Sequence, residues 1–195
     1  MKKPVKGSWL ILLGVLLVVI DQVIKVLVKT NMSIGEHFSV IGNWFQILFI
    51  ENEGMAFGMK WGGAAGKILL SSFRIVLFGL LWWWIGRLLG QKKEDGTPAV
   101  PMGVCVGLTM IAAGAFGNII DCWFYGLLFS ESTLHTVAEF GGIGYAPFMM
   151  GKVVDMLSFS IFPPVFNFAD SCVTCGAAYL ILFHWRFFSE DTAEK

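Results

Sequence analysis

The chain has 195 residues, of which 56% are hydrophobic, 15% aromatic and only 14% charged, with 14 basic residues against 14 acidic ones. Soluble domains carry about a quarter charged residues, so this composition excludes a disordered chain and disfavours an ordinary water-soluble enzyme, as does the mean hydropathy of +0.71. Zero net charge leaves no basic excess to hold a phosphate backbone, which argues against nucleic-acid binding.

Crossing a hydrocarbon core takes about 20 apolar residues. Four windows qualify: residues 8–28, 65–89, 99–121 and 165–188. The first follows Met1-Lys-Lys-Pro-Val-Lys6, which looks like the start of a signal peptide. No small-x-small cleavage site follows Ile20, and the apolar run resumes past Asp21 and Lys25, so a retained span is expected. The expectation is an α-helical integral membrane protein, a single membrane domain over 1–195 with four transmembrane helices.

Between the first two windows lies a loop, 29–64, with two β-prone runs (37–41 and 44–50) around Gly42-Asn43. They predict a hairpin, part of a small β-rich platform. The loop over 90–98 is a short polar turn. The loop over 122–164 is Gly-rich and carries no clear pattern. Lys2, Lys3, Lys6, Arg87, Lys92, Lys93 and Arg186 gather at one side of the four windows, so both termini and the 90–98 turn are expected in the cytoplasm, with the two long loops outside.

The four cysteines do not suggest chemistry. Cys172 and Cys175 form a CxxC inside an apolar run, with no further Cys or His at zinc-site spacing. They read as packing thiols, and no metal or cofactor is expected.

Ionisable groups in lipid are costly, and each is a functional candidate. With a rise of about 1.5 Å per residue, Asp21 and Asp170 fall in the outer third of their spans, and Asp121 lies at the outer boundary of its own, at the same level. Asp155 lies fifteen residues before Asp170, close enough in sequence to fold beside it. Asn118 with Asp121, and Asn167 with Asp170, are i,i+3 pairs that face one way. Asp21 and Lys25 are i,i+4, the spacing of an internal ion pair, and are more often structural than catalytic. Gly114 and Gly117 allow close helix approach. Arg74, midway along the second window, is expected to neutralise one of the carboxylates. His37, His135 and His184 receive no role. Two carboxyls sharing a proton can activate water and polarise a carbonyl. The same cluster can instead bind a cation or relay protons in a small transporter, or be dispensable in an assembly subunit. Composition and depth leave these alternatives open.

The residues then resemble a known family, the bacterial prolipoprotein signal peptidases (signal peptidase II). Asp21-Gln22-Val-Ile-Lys25 is similar to its DQxxK, and Asn52-Glu-Gly54-Met-Ala56-Phe57 to its N-x-G-x-A-F. Gly117-Asn118-Ile-Ile-Asp121 is similar to G-N-x-x-D, Val153-Val154-Asp155 to V-V-D, and Phe166-Asn167-Phe-Ala169-Asp170-Ser171 to F-N-x-A-D-S. Five motifs in order over nearly the whole chain are specific. The resemblance implies that Asp155 and Asp170 are the catalytic pair, and that Asp21, Lys25, Asn52, Gly54, Phe57, Asn118, Asp121 and Asn167 line or support the site. It implies an intramembrane aspartic endopeptidase that cuts diacylglyceryl-modified prolipoproteins before the lipidated Cys. The enzyme would be a monomer among membrane lipids, in the bacterial inner membrane, with its site near the outer face.

Two features depart from the family pattern. Cys122 stands where a basic residue often follows G-N-x-x-D, a role Lys152 could take over. The stretch 127–150 is longer than the usual connection to V-V-D, as an added lid or partner surface would be.

Overall fold

The computed structural model describes residues 7–53 and 63–190. In chain order it contains α1 (Ser8–Asn31), β1 (His37–Ile41), β2 (Phe45–Asn52), α2 (Gly63–Gly90) and α3 (Met102–Ile120). A π-helical turn (Asp121–Tyr125), the short α4 (Gly126–Leu128), β3 (Val153–Phe159), β4 (Phe162–Phe166) and α5 (Phe168–Glu190) complete it.

α1 buries its polar residues and leaves much of its apolar surface exposed. On α1 the buried stripe is Leu10, Gly14, Asp21, Lys25, Val28 and Lys29, while Leu12, Val15, Leu16, Val19, Val23 and Leu27 are about half or more exposed. That inversion is the pattern expected where the surrounding solvent is hydrocarbon. Three helical runs among the described residues are long and apolar enough to cross a membrane: Ser8–Asn31, Ala65–Gly90 and Met102–Leu128. The 23-residue α5 carries Asp170, Ser171, Thr174, His184 and Arg186 and does not reach the same apolarity. The window expected over 165–188 begins inside β4, and the helix itself starts at Phe168. The third helical run starts at Met102 and continues past Asp121 to Leu128.

The central helix is α3, packed against α1, α2 and α5. Its buried face is built from small residues, including Gly107, Ala112, Ala113, Gly114 and Gly117, which lets backbones approach where no hydrophobic force drives helices together. At Gly114 a Cβ would strike the Ala169 carbonyl oxygen and lie 2.8 Å from Val173 Cγ2. At Gly117 it would lie 2.6 Å from Asp21 Oδ2. These two glycines set the start of α5, and the Asp21 carboxylate, directly on α3.

The hairpin over 37–52 is present, with Gly42 at φ +50° in its turn. It is half of a four-stranded antiparallel sheet of order β1-β2-β3-β4. β2 sets Ile50 opposite Asp155 and Asn52 opposite Val153. β4 is an edge strand, so Pro163 and Pro164 interrupt no ladder on its outer side.

Two apolar cores result. One lies within the helices, around Leu10, Val104, Leu108 and Leu180. The other joins the sheet to the ends of α1 and α3, around Val28, Phe49, Phe129, Val154 and Met156. Between them sits the layer of buried polar groups.

Candidate active site

Asp170 is fixed by its own helix start. Asn167 precedes α5 and Asp170 falls in its first turn. The Asp170 N–H donates to Asn167 Oδ1 at 2.9 Å, and the Asn167 N–H donates to Asp170 Oδ2 at 3.3 Å. This reciprocal arrangement is a capping box, with Asn and Asp in the two roles. It holds the carboxylate at the positive end of the helix, where an anion is favoured.

Asp155 reaches the same place from β3 and is 2% exposed. The fully buried Asn167 joins the two acids: its Nδ2 donates to Asp155 Oδ1 at 2.7 Å and to Asn118 Oδ1 at 3.0 Å. Asn52 donates from β2 to Asp155 Oδ2 at 3.2 Å. Asn118 donates its Nδ2 to Asp170 Oδ1 at 2.8 Å. Among the described residues, three asparagine side chains and one backbone N–H donate to the pair. Burial, and next the charge of Asp170, push the Asp155 carboxyl up to about 7; the donors from Asn52 and Asn167 pull the other way.

Beneath the pair lies a second polar layer. The Lys25 ammonium, fully buried, contacts Asp21 Oδ2 at 2.9 Å and Asp121 Oδ2 at 2.7 Å, and donates to Asn118 Oδ1 at 2.8 Å. Asp21 Oδ1 accepts the Ala169 N–H at 2.8 Å, and Asp121 Oδ2 accepts the Val154 N–H at 3.3 Å. Gln22 donates to Asp121 Oδ1 at 2.9 Å and to the Gly117 carbonyl at 3.1 Å. This layer ties α1 and α3 to the segments that carry Asp155 and Asp170. It also sets the Asn118 amide: with its oxygen held by Lys25, its NH2 must face Asp170.

The structure therefore brings Asp155, Asp170, Asn52, Asn118 and Asn167 together, with Asp21, Lys25 and Asp121 one layer below. Gly54 and Phe57 lie outside the described residues. The Arg74 guanidinium lies 3.9 Å from Cys122 Sγ. Lys152 is placed 3.3 Å from Glu51 Oε2.

One further cluster was not singled out from sequence. The buried Lys29 pairs with Glu51 and donates to Ser132 Oγ at 2.9 Å, with the Tyr145 ring centroid 5.0 Å away. Lys67 bonds to Glu53 Oε2 at 2.6 Å and to the Met150 carbonyl at 3.0 Å. The only sequence signal for Lys29 is its i,i+4 spacing from Lys25, which continues the polar stripe of α1.

Comparison with known proteins is concordant along the chain. The family model for signal peptidase (SPase) II matches residues 13–186. A lipoprotein signal peptidase of Porphyromonas gingivalis is 40% identical over 201 residues, covering 93% of this chain and 84% of the relative. One of Amoebophilus asiaticus is 32% identical, covering 87% and 75%. A solved structure described as a bacterial membrane enzyme superposes with a TM-score of 0.61 at 26% identity, covering 100% of this chain and 94% of that one.

Proposed function

Because the chain belongs to the signal peptidase II family, we propose that it is an intramembrane aspartic endopeptidase that removes the signal peptide from diacylglyceryl-modified prolipoproteins, cutting before the lipidated Cys. The observation that carries this reading is the pair Asp155 and Asp170, delivered by a strand and a helix start and bridged by the single buried side chain of Asn167. The reading includes four spans, with α5 as the fourth. It also includes cytoplasmic termini, a site near the outer face of the inner membrane and a monomeric enzyme.

In the mechanism we propose, the shared proton rests on Asp155. Asp170 sits at a helix N-terminus, where it accepts the Asn118 amide and the Asn167 backbone N–H. Asp155 is more enclosed and its carboxyl is pushed up to about 7. A water between them loses a proton to Asp170 as its oxygen attacks the scissile carbonyl. Asp155 donates its proton to the carbonyl oxygen, giving a tetrahedral diol. Asp170 then passes its proton to the departing nitrogen, the C–N bond breaks, and Asp155 recovers a proton from a diol hydroxyl. Asn118 and Asn167 keep both carboxyls oriented throughout.

The test is a gel-shift cleavage assay with purified protein in detergent, using a prolipoprotein with and without its diacylglyceryl group. Cleavage of the lipidated form alone, lost in both Asp155→Asn and Asp170→Asn, is expected. Absence of cleavage by folded wild-type protein, together with proton or ion flux in vesicles, would overturn the reading in favour of a transporter.

A further inference from the structure

The segment between the third apolar run and β3 has two unlike sides. Its inner side is locked by polar groups. Ser132, 3% exposed, accepts from Lys29 and bonds to Glu51 Oε1 at 3.1 Å. The Thr133 carbonyl accepts the Ile34 N–H at 2.9 Å, and Ala138 is buried in the core under the sheet. The segment is therefore a built part of the fold.

Its outer side is apolar. Ile143 is 93% exposed, Phe140 66% and Phe148 50%. These residues sit on an arm that doubles back along the end of the third apolar run. Gly141 N–H donates to the Leu128 carbonyl at 2.8 Å, and Ala146 N–H to the Gly126 carbonyl at 3.0 Å. The Phe148 ring lies 5.9 Å from that of Phe124. On the helical run itself, Phe124, Leu127 and Leu128 are exposed as well. One apolar surface thus continues from a candidate membrane-crossing helix onto the arm, while Glu131, His135 and Glu139 are exposed around it. Scattered exposed apolar side chains are ordinary in a soluble protein, but a contiguous patch marks a contact surface, and here it continues the helix surface that faces lipid.

We propose that residues 129–150 form an interfacial plate, whose apolar arm around Phe140, Ile143 and Phe148 rests in the acyl–headgroup boundary of the bilayer at the end of the Met102–Leu128 run. The occupant is lipid because the patch has no break from the lipid-facing helix surface, and an element with one apolar and one polar side lies in the plane of an interface with its apolar side buried. The inference rests on the membrane-spanning reading and is independent of peptidase activity.

Nitroxide labels at Ile143→Cys and, separately, Glu131→Cys test it, in full-length Cys175→Ser protein reconstituted into phosphatidylglycerol–phosphatidylethanolamine vesicles. Cys175 is exposed, and the other three cysteines are buried. Collisional relaxation by oxygen relative to a water-soluble nickel chelate should be several-fold higher at 143 than at 131. Phe140→Cys provides a second reporter expected to follow 143. Equal, nickel-dominated relaxation at 143 and 131 would overturn the proposal, leaving the arm in water. Protection of 143 from both reagents would overturn it in favour of a protein partner or a second copy of this chain.

Discussion

Asn167 and Asp170 cap one another across the start of α5, each donating its backbone N–H to the other's side chain, at 2.9 and 3.3 Å. The same Asn167 side chain donates to Asp155, so one residue braces both the start of α5 and the Asp155 carboxyl. Asn167→Ala removes a cap, worth about 1 kcal/mol, and also strips a donor from a buried carboxyl. Cleavage is expected to fall about 100-fold or more, beyond what the small loss of thermal stability explains. Thermal unfolding in detergent beside single-turnover cleavage separates the two effects.

The raised Asp155 carboxyl also bears on stability. Its ordinary value is 3.8 and its folded value about 7. The folded state therefore binds this proton more tightly than the unfolded chain does. The resulting stabilisation is full below about 4 and is lost as pH rises through about 7. Asp155→Asn removes the titration, so the gain in melting temperature that wild-type protein shows between pH 8 and pH 5 should shrink in the variant. An unchanged gain would place the titrating group elsewhere.

Asn52 reports on the same proton through kinetics. Its Nδ2 donates to Asp155 Oδ2 at 3.2 Å and favours the ionised form. If Asp155 must be protonated for turnover, kcat/KM falls on the alkaline side near pH 7. Asn52→Ala removes a donor to the anion, so the alkaline limb should move to higher pH while the maximal rate drops. A shift to lower pH would reverse the assignment of Asp155 as the acid.

Lys25 should act mainly through stability. It is the common partner of Asp21 and Asp121, all three almost completely buried. Lys25→Met leaves two carboxylates unpaired in a dry site, and removing one member of such a group costs about 3–5 kcal/mol. The melting temperature should fall sharply. Adding Asp121→Asn to Lys25→Met should recover part of the loss, because one uncompensated charge is then gone. No recovery would mean that the Asp121 charge is not the source of the penalty.

Much of this arrangement could be read in the sequence, because it is written locally. The i,i+4 pair of Asp21 and Lys25, the Asn118–Asp121 and Asn167–Asp170 spacings, and the hairpin around Gly42-Asn43 each follow from a few adjacent residues. The strand that carries Asp155 was harder to read. β3 leaves an irregular segment with no flanking signal, and β4 contains Pro163 and Pro164, which mark a strand only at a sheet edge that the sequence does not identify. The Lys29–Glu51–Ser132 cluster joins residues 22 and 81 positions apart. No periodicity links them, and only the folded chain brings them together. Nor does any sequence rule place a π-helical turn at Asp121–Tyr125, where the helix adjusts as it meets the sheet.

Gly114 offers a test of how tightly the site depends on helix packing. Replacing a helical glycine by alanine ordinarily stabilises a helix by about 0.5–1 kcal/mol. At Gly86 on α2 nothing lies within 4 Å of the added Cβ, so Gly86→Ala should raise the melting temperature or leave it unchanged, with normal cleavage. At Gly114 the same methyl meets the backbone carbonyl of Ala169 and the Val173 side chain, and a backbone carbonyl cannot rotate away. The first turn of α5 must shift, and it carries Asp170 and the N–H that Asp21 holds. Gly114→Ala should therefore lower cleavage by an order of magnitude or more and reduce the melting temperature despite its better helix propensity. Equal behaviour of the two variants would show that α5 tolerates displacement from α3, and that the position of Asp170 is set by the capping box and Asn118 alone.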